Sequence, residues 1–196
     1  MHRVFSKNLT MRLPAQLGMV STLALGAAML AAPAHAQVLN SGASPIALQA
    51  VLSESLTVTL SGNAVNFNLV AGSAHNPGGT SVTATTTWVL KPSVSRLNLY
   101  AFFSSSGSAL TNGAGNNIPS ANFQISNNAG AFTALTHTVP FGGANAGLQL
   151  SSTRILGNNK SGTRNDVMNF NINLGPLPNL PAGTYTGTLT IQAQAI

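Results

Sequence analysis

The chain contains no cysteine. Disulfides, thiolate metal ligands and a thiol nucleophile are therefore excluded. Acids are nearly as scarce: Glu54 and Asp166, 112 positions apart, are the only two. A clustered acidic metal site is out of reach, and a paired-carboxylate hydrolase has no support. Beyond residue 36 no apolar run is long enough to cross a membrane as a helix, and no segment keeps a period of 3.6. No Gly-x-Ser-x-Gly elbow occurs, and His75 and His137 stand far from each other and from either acid. These absences leave no catalytic, metal or cofactor signature, and both histidines read as loop or surface residues.

The first 36 residues read as an export signal. Arg3, Lys7 and Arg12 give a basic start, Ala15–Ala32 is apolar and uncharged, and Ala34-His35-Ala36 supplies a cleavage pattern. The expected mature chain, Gln37–Ile196, is one domain, exported to the periplasm, the outer surface or the medium, with no transmembrane segment. It keeps five basic residues against two acids, a formal +3 compared with +6 for the whole chain. That is too little basic charge for a nucleic-acid footprint.

What is present is alternation. From Thr184, Tyr185, Leu189, Ile191, Ala193 and Ala195 fall on one parity, with Thr and Gln on the other. A period of two places one strand face on a core and the other in water. The same pattern runs through Thr80–Leu90, Arg96–Phe103 and Met168–Leu174, with shorter pieces around Phe123–Ile125, Phe132–Val139 and Leu148–Ile155. Eight to ten such strands predict an all-β fold, an antiparallel β-sandwich with Ig-like or Greek-key wiring. Ser61-Gly62-Asn63-Ala64 predicts a hairpin from Leu60 into Val65, Phe67 and Leu69. Ser104–Ser120 and Gly157–Asn165 read as polar loops.

Four sets of residues carry the functional expectations. Ile46, Leu48, Ala50 and Leu52 alternate ahead of a break at Ser53-Glu54-Ser55; they form either the domain's own first strand or an N-terminal extension able to add to another sheet. Tyr100 and Phe102, beside Arg96, make the second face of their strand aromatic, suited to a glycan, a neighbouring subunit or a covering loop. Arg154, Lys160 and Arg164 lie close together in sequence, as an anionic-polymer loop would require. Trp88 shares parity with Val82, Ala84 and Leu90, which points it into the core.

Pro181-Ala-Gly-Thr-Tyr-Thr-Gly-Thr-Leu-Thr-Ile191 resembles the closing strand of bacterial spore-coat-U-type and chaperone–usher pilin-like subunits. The resemblance covers about fifteen residues plus the layout of signal, domain and terminal strand. It implies a secreted, non-catalytic structural or adhesive subunit, completed by strand donation from itself or another surface subunit. The chain departs from many pilins in lacking their disulfide. Trp88-Val89-Leu90 resembles half of the WxL cell-wall-binding signature, but the second half is replaced by Ile191-Gln192-Ala193. A monomeric carbohydrate- or wall-binding module, and an exported hydrolase, stand as the alternative expectations.

Overall fold

Eleven strands account for nearly all the regular structure of the computed structural model, which describes residues 43–196. The segment read as an export signal, residues 1–36, lies outside the described residues. Gln49–Ile196 forms one compact unit.

Nine of the eleven strands divide between two facing antiparallel sheets, so the protein is a β-sandwich. In the larger sheet the order is β1 (Ser55–Leu60), β3 (Val82–Val89), β10 (Ser161–Ile172), β7 (Phe123–Asn127) and β8 (Thr133–Ala134); β2 (Asn76–Pro77) pairs with the end of β10. The smaller sheet runs β11 (Thr190–Ala195), β4 (Arg96–Phe102), β9 (Gly147–Arg154). A small hairpin of β5 (Leu110–Thr111) and β6 (Asn117–Ile118) stands apart.

The alternation decides which side chains meet between the sheets. Val82, Ala84, Ile125, Met168, Phe170 and Ile172 face Leu99, Ala101, Phe103 and Leu148 in the main core, where Phe103 and Phe123 meet edge to face at 5.2 Å. A second, smaller core holds Trp88, Leu90, Val94, Leu97 and Ile155 at one end. Trp88 is buried as its parity requires, and its indole N–H donates to the Asn159 carbonyl at 3.0 Å. Gly162 lies directly under that ring, where a Cβ would come within 2.7 Å of it.

Between the two cores lies a polar layer. Asp166 continues the inward parity of Met168, Phe170 and Ile172 and is fully buried. It accepts hydrogen bonds from Arg164 Nη2 (2.9 Å), Asn127 Nδ2 (3.0 Å), Asn128 Nδ2 (3.1 Å) and Ser151 Oγ (3.3 Å). Arg164 also donates to Thr153 Oγ1 at 2.7 Å. A bulge opposite Leu99–Tyr100 makes this possible. It lets Ser151 and Thr153 turn inward after Leu148 and Leu150 have already done so. A buried carboxylate is tolerable only when charge and hydrogen bonds surround it, and this one is surrounded.

Several local expectations are corrected. Leu60 does not turn back into Val65. β1 pairs with β3, sealed by Ser61 N–H to the Thr83 carbonyl at 2.9 Å, while Val65, Phe67 and Leu69 pack half-buried on the core. Gly78 permits this, because a Cβ there would lie 2.7 Å from Val65. Ser104–Ser120 is not simply a loop: Ala109, Leu110 and Ile118 anchor the β5–β6 hairpin in the core. Gly157–Asn165 is shorter than expected, since Ser161–Asn165 extends β10 against β3. The last strand also starts late, at Thr190. Thr184–Leu189 makes only a bridge from Thr186 to Thr111, with Gly187 packed so closely on the Ala109 carbonyl that no Cβ would fit.

Candidate functional site

The four candidate groups end in different surroundings. Ile46, Leu48, Ala50 and Leu52 lie in a stretch without assigned strand structure, and the first strand, β1, begins only at Ser55. Ile46, Leu48 and Leu52 are 83, 90 and 85% exposed. Glu54 closes that stretch. Its carboxylate accepts the Lys91 backbone N–H at 3.0 Å and sits 3.6 Å from Lys91 Nζ.

Tyr100 does not stand free: it is 7% exposed. Phe141, from the loop before β9, packs edge-on against it at 6.0 Å and tilts over Phe102 at 5.9 Å. Gly142 follows with a positive φ of 77°, and its backbone lies against Phe102. The aromatic face of β4 is thus covered by the molecule's own loop.

Arg154, Lys160 and Arg164 do not form one patch. Arg164 turns inward to Asp166, Lys160 Nζ caps the carbonyls of Pro92 (2.8 Å) and Val94 (2.6 Å), and Arg154 stands directly opposite Arg96 across β9 and β4. His75 and His137 are exposed, and no group of metal-ligating residues assembles among the described residues.

The feature that sequence reasoning missed is an edge. β1 and β11 are the outer strands of their respective sheets, and they run beside each other with no hydrogen bond between them among the described residues. Arg96 and Ile196 exchange both backbone bonds at 2.9 Å, which fixes the phase of the β11–β4 ladder. In an antiparallel pair the bonded positions recur every second residue. Gln194, Gln192 and Thr190 therefore bond to β4, while the N–H and C=O groups of Ile191, Ala193 and Ala195 point away from it, at the free edge of the sheet.

Along this slot the half-buried side chains are apolar: Leu56 and Val58 from β1, and Leu189, Ile191, Ala193 and Ala195 from β11 and its approach. One end widens into a cleft of about 420 Å³, lined by Leu56, Leu90, Val94 and Ala195 with Glu54 and Lys91 at its rim. Neither strand carries a charge, a proline or a bulge, the devices that usually guard an exposed edge. The alternation of β1 and β11 is visible in sequence. That both would be outer strands on the same side depends on pairing partners 24 or more residues away, which it does not show.

No family model matches this chain, and no curated protein is significantly similar to it. Among the described residues no helix is long and apolar enough to cross a membrane.

Proposed function

We propose that this protein is an exported, non-catalytic structural or adhesive subunit of a bacterial surface, joined to its neighbours by strand addition at the β1/β11 edge. The observation that carries the reading is the row of backbone groups of Ile191, Ala193 and Ala195 left facing an apolar slot. An extended segment laid there would gain main-chain hydrogen bonds, and its alternate side chains would fill the half-buried stripe.

The occupant is Ile46–Leu52 of another copy. That segment alternates Ile, Leu, Ala, Leu, is exposed, and precedes β1 in every molecule. Each subunit thereby carries one donor and one receptor, an arrangement that is head-to-tail and open-ended. Glu54 and Lys91 at the rim then mark the mouth of the slot. The Pro181–Ile191 likeness to spore-coat-U-type and pilin-like subunits supports the same reading. The covered state of Tyr100 and Phe102 weighs against a glycan platform built on those two rings.

The test is light scattering on chains beginning at Gln37 and at Ser53, over a wide concentration range. The longer chain is expected to form concentration-dependent oligomers and the shorter to stay monomeric with the same β-type circular dichroism. A longer chain that remains monomeric throughout, or a shorter one that is unfolded, ends the proposal. The second outcome would assign residues 37–52 to their own domain.

A further inference from the structure

All five basic residues of the described region lie at one end of the sandwich, around the smaller core: Lys91, Arg96, Arg154, Lys160 and Arg164. The rest of that region carries none. The whole chain has only two acids to set against them, and both are taken. Glu54 pairs with Lys91 at 3.6 Å and Asp166 with Arg164 at 2.9 Å. Lys160 is held by two carbonyls.

Among the described residues neither Arg96 nor Arg154 forms a salt bridge, and the two are direct cross-strand neighbours on the outer face of the smaller sheet. Like charges directly opposite each other destabilise a sheet unless something of opposite sign lies between them. Arg96 Nη1 donates to Ser152 Oγ at 3.2 Å, which anchors its guanidinium over β9 on the face that it shares with Arg154. The same face continues with Ser152, Gln149 and Gln194, hydroxyl and amide groups able to bond sugar hydroxyls.

We infer that Arg96 and Arg154 form a two-guanidinium site for the carboxylate of an acidic polysaccharide, with the neighbouring amides contacting its hydroxyls. Two guanidinium forks can each present paired donors to a carboxylate, a geometry that lysine cannot reproduce. Charge complementarity selects an anionic partner. The surroundings favour a uronate polymer over a nucleic acid, because Tyr100 is too buried to stack on a base and two free cations are few for a phosphate backbone. The inference is independent of strand addition: the site lies on a sheet face, not in the slot.

The probe is polygalacturonate, in affinity electrophoresis and titration calorimetry at low salt, with dextran and oligothymidylate alongside. The full exported chain is expected to bind polygalacturonate and not dextran. The Arg96→Gln/Arg154→Gln double variant should bind at least about tenfold more weakly with unchanged circular dichroism, since each lost charge-assisted contact exceeds a factor of several. The Arg96→Lys/Arg154→Lys double variant, which keeps both charges but not the forks, should also bind more weakly than the parent. No binding by the parent chain, equal binding by either double variant, or oligothymidylate binding as tight as polygalacturonate would each overturn the assignment.

Discussion

The two sides of this sandwich are built on opposite principles. On the β7/β9 side the sheets are stitched together: Asn127 Nδ2 reaches the Leu150 carbonyl at 3.0 Å and Asp166 at 3.0 Å, and Ser151 bonds the same carboxylate from the facing sheet. The edge there is also broken up, with β8 only two residues long, β9 bulged, and His137 bridging to Gly147. On the β1/β11 side nothing crosses between the sheets among the described residues except apolar contact. Both strands there are regular for six residues. Side-chain hydrogen bonds close one edge permanently, and their lack leaves the other available. The same chain therefore shows how an edge is retired and how one is kept open.

The largest effect is expected on the stitched side. Asp166→Ala leaves Arg164, Asn127 and Asn128 without their common acceptor, and should lower stability by about 3–5 kcal/mol. A urea midpoint moved by much less would mean that the carboxylate is not the element joining the sheets. Asn127→Ala removes two of the stitches and should cost about 1–3 kcal/mol by the same measurement.

On the open side, two proline substitutions one residue apart separate fold from assembly. Gln192→Pro deletes an N–H that bonds β4 and should cost at least about 1 kcal/mol. Ala193→Pro deletes one that faces the slot, so thermal unfolding should shift less than for Gln192→Pro while oligomers in light scattering disappear. Equal destabilisation by the two would show that the ladder phase is misassigned. The smallest effect is expected at Thr86, whose buried hydroxyl has no hydrogen-bond partner beside the polar layer. Thr86→Val should leave stability unchanged or raise it by up to about 1 kcal/mol. A clear loss would place Thr86 within the network after all.

The sequence announces the parts of this architecture where chemistry alternates cleanly. β3, β4 and the second half of β10 are readable because Val82, Trp88, Leu99, Met168 and Phe170 leave the opposite parity to Thr and Asn. β10 is longer than it reads because Thr163 and Asn165 look like loop. Their side chains instead meet Thr87 and Thr85 across the sheet at 3.3 and 2.9 Å. Ile118 and Leu110 are hidden among Ser, Gly and Asn, so a packed hairpin passes for a loop.

Asp166 was open to discovery, since it shares parity with Met168, Phe170 and Ile172. A carboxylate in that phase either breaks a strand or demands partners, and here it has four. The candidate sites are less legible than the strands. Arg96 faces Arg154, and β1 lies beside β11, only through register between distant segments, which no local pattern encodes. Of the readings open for the aromatic pair, the covering loop is the one seen, and its identity was hidden for a similar reason: Phe141 comes from a glycine-rich stretch with no period at all.

Hydrogen exchange followed at single amides, on the chain beginning at Gln37 in dilute and in concentrated solution, tests the open edge most directly. If that edge receives a strand, the amides of Ile191, Ala193 and Ala195 exchange fast when dilute and become protected on assembly, while Gln192 and Gln194 are slow in both. Oligomers that form without slowing those three amides would contradict the account.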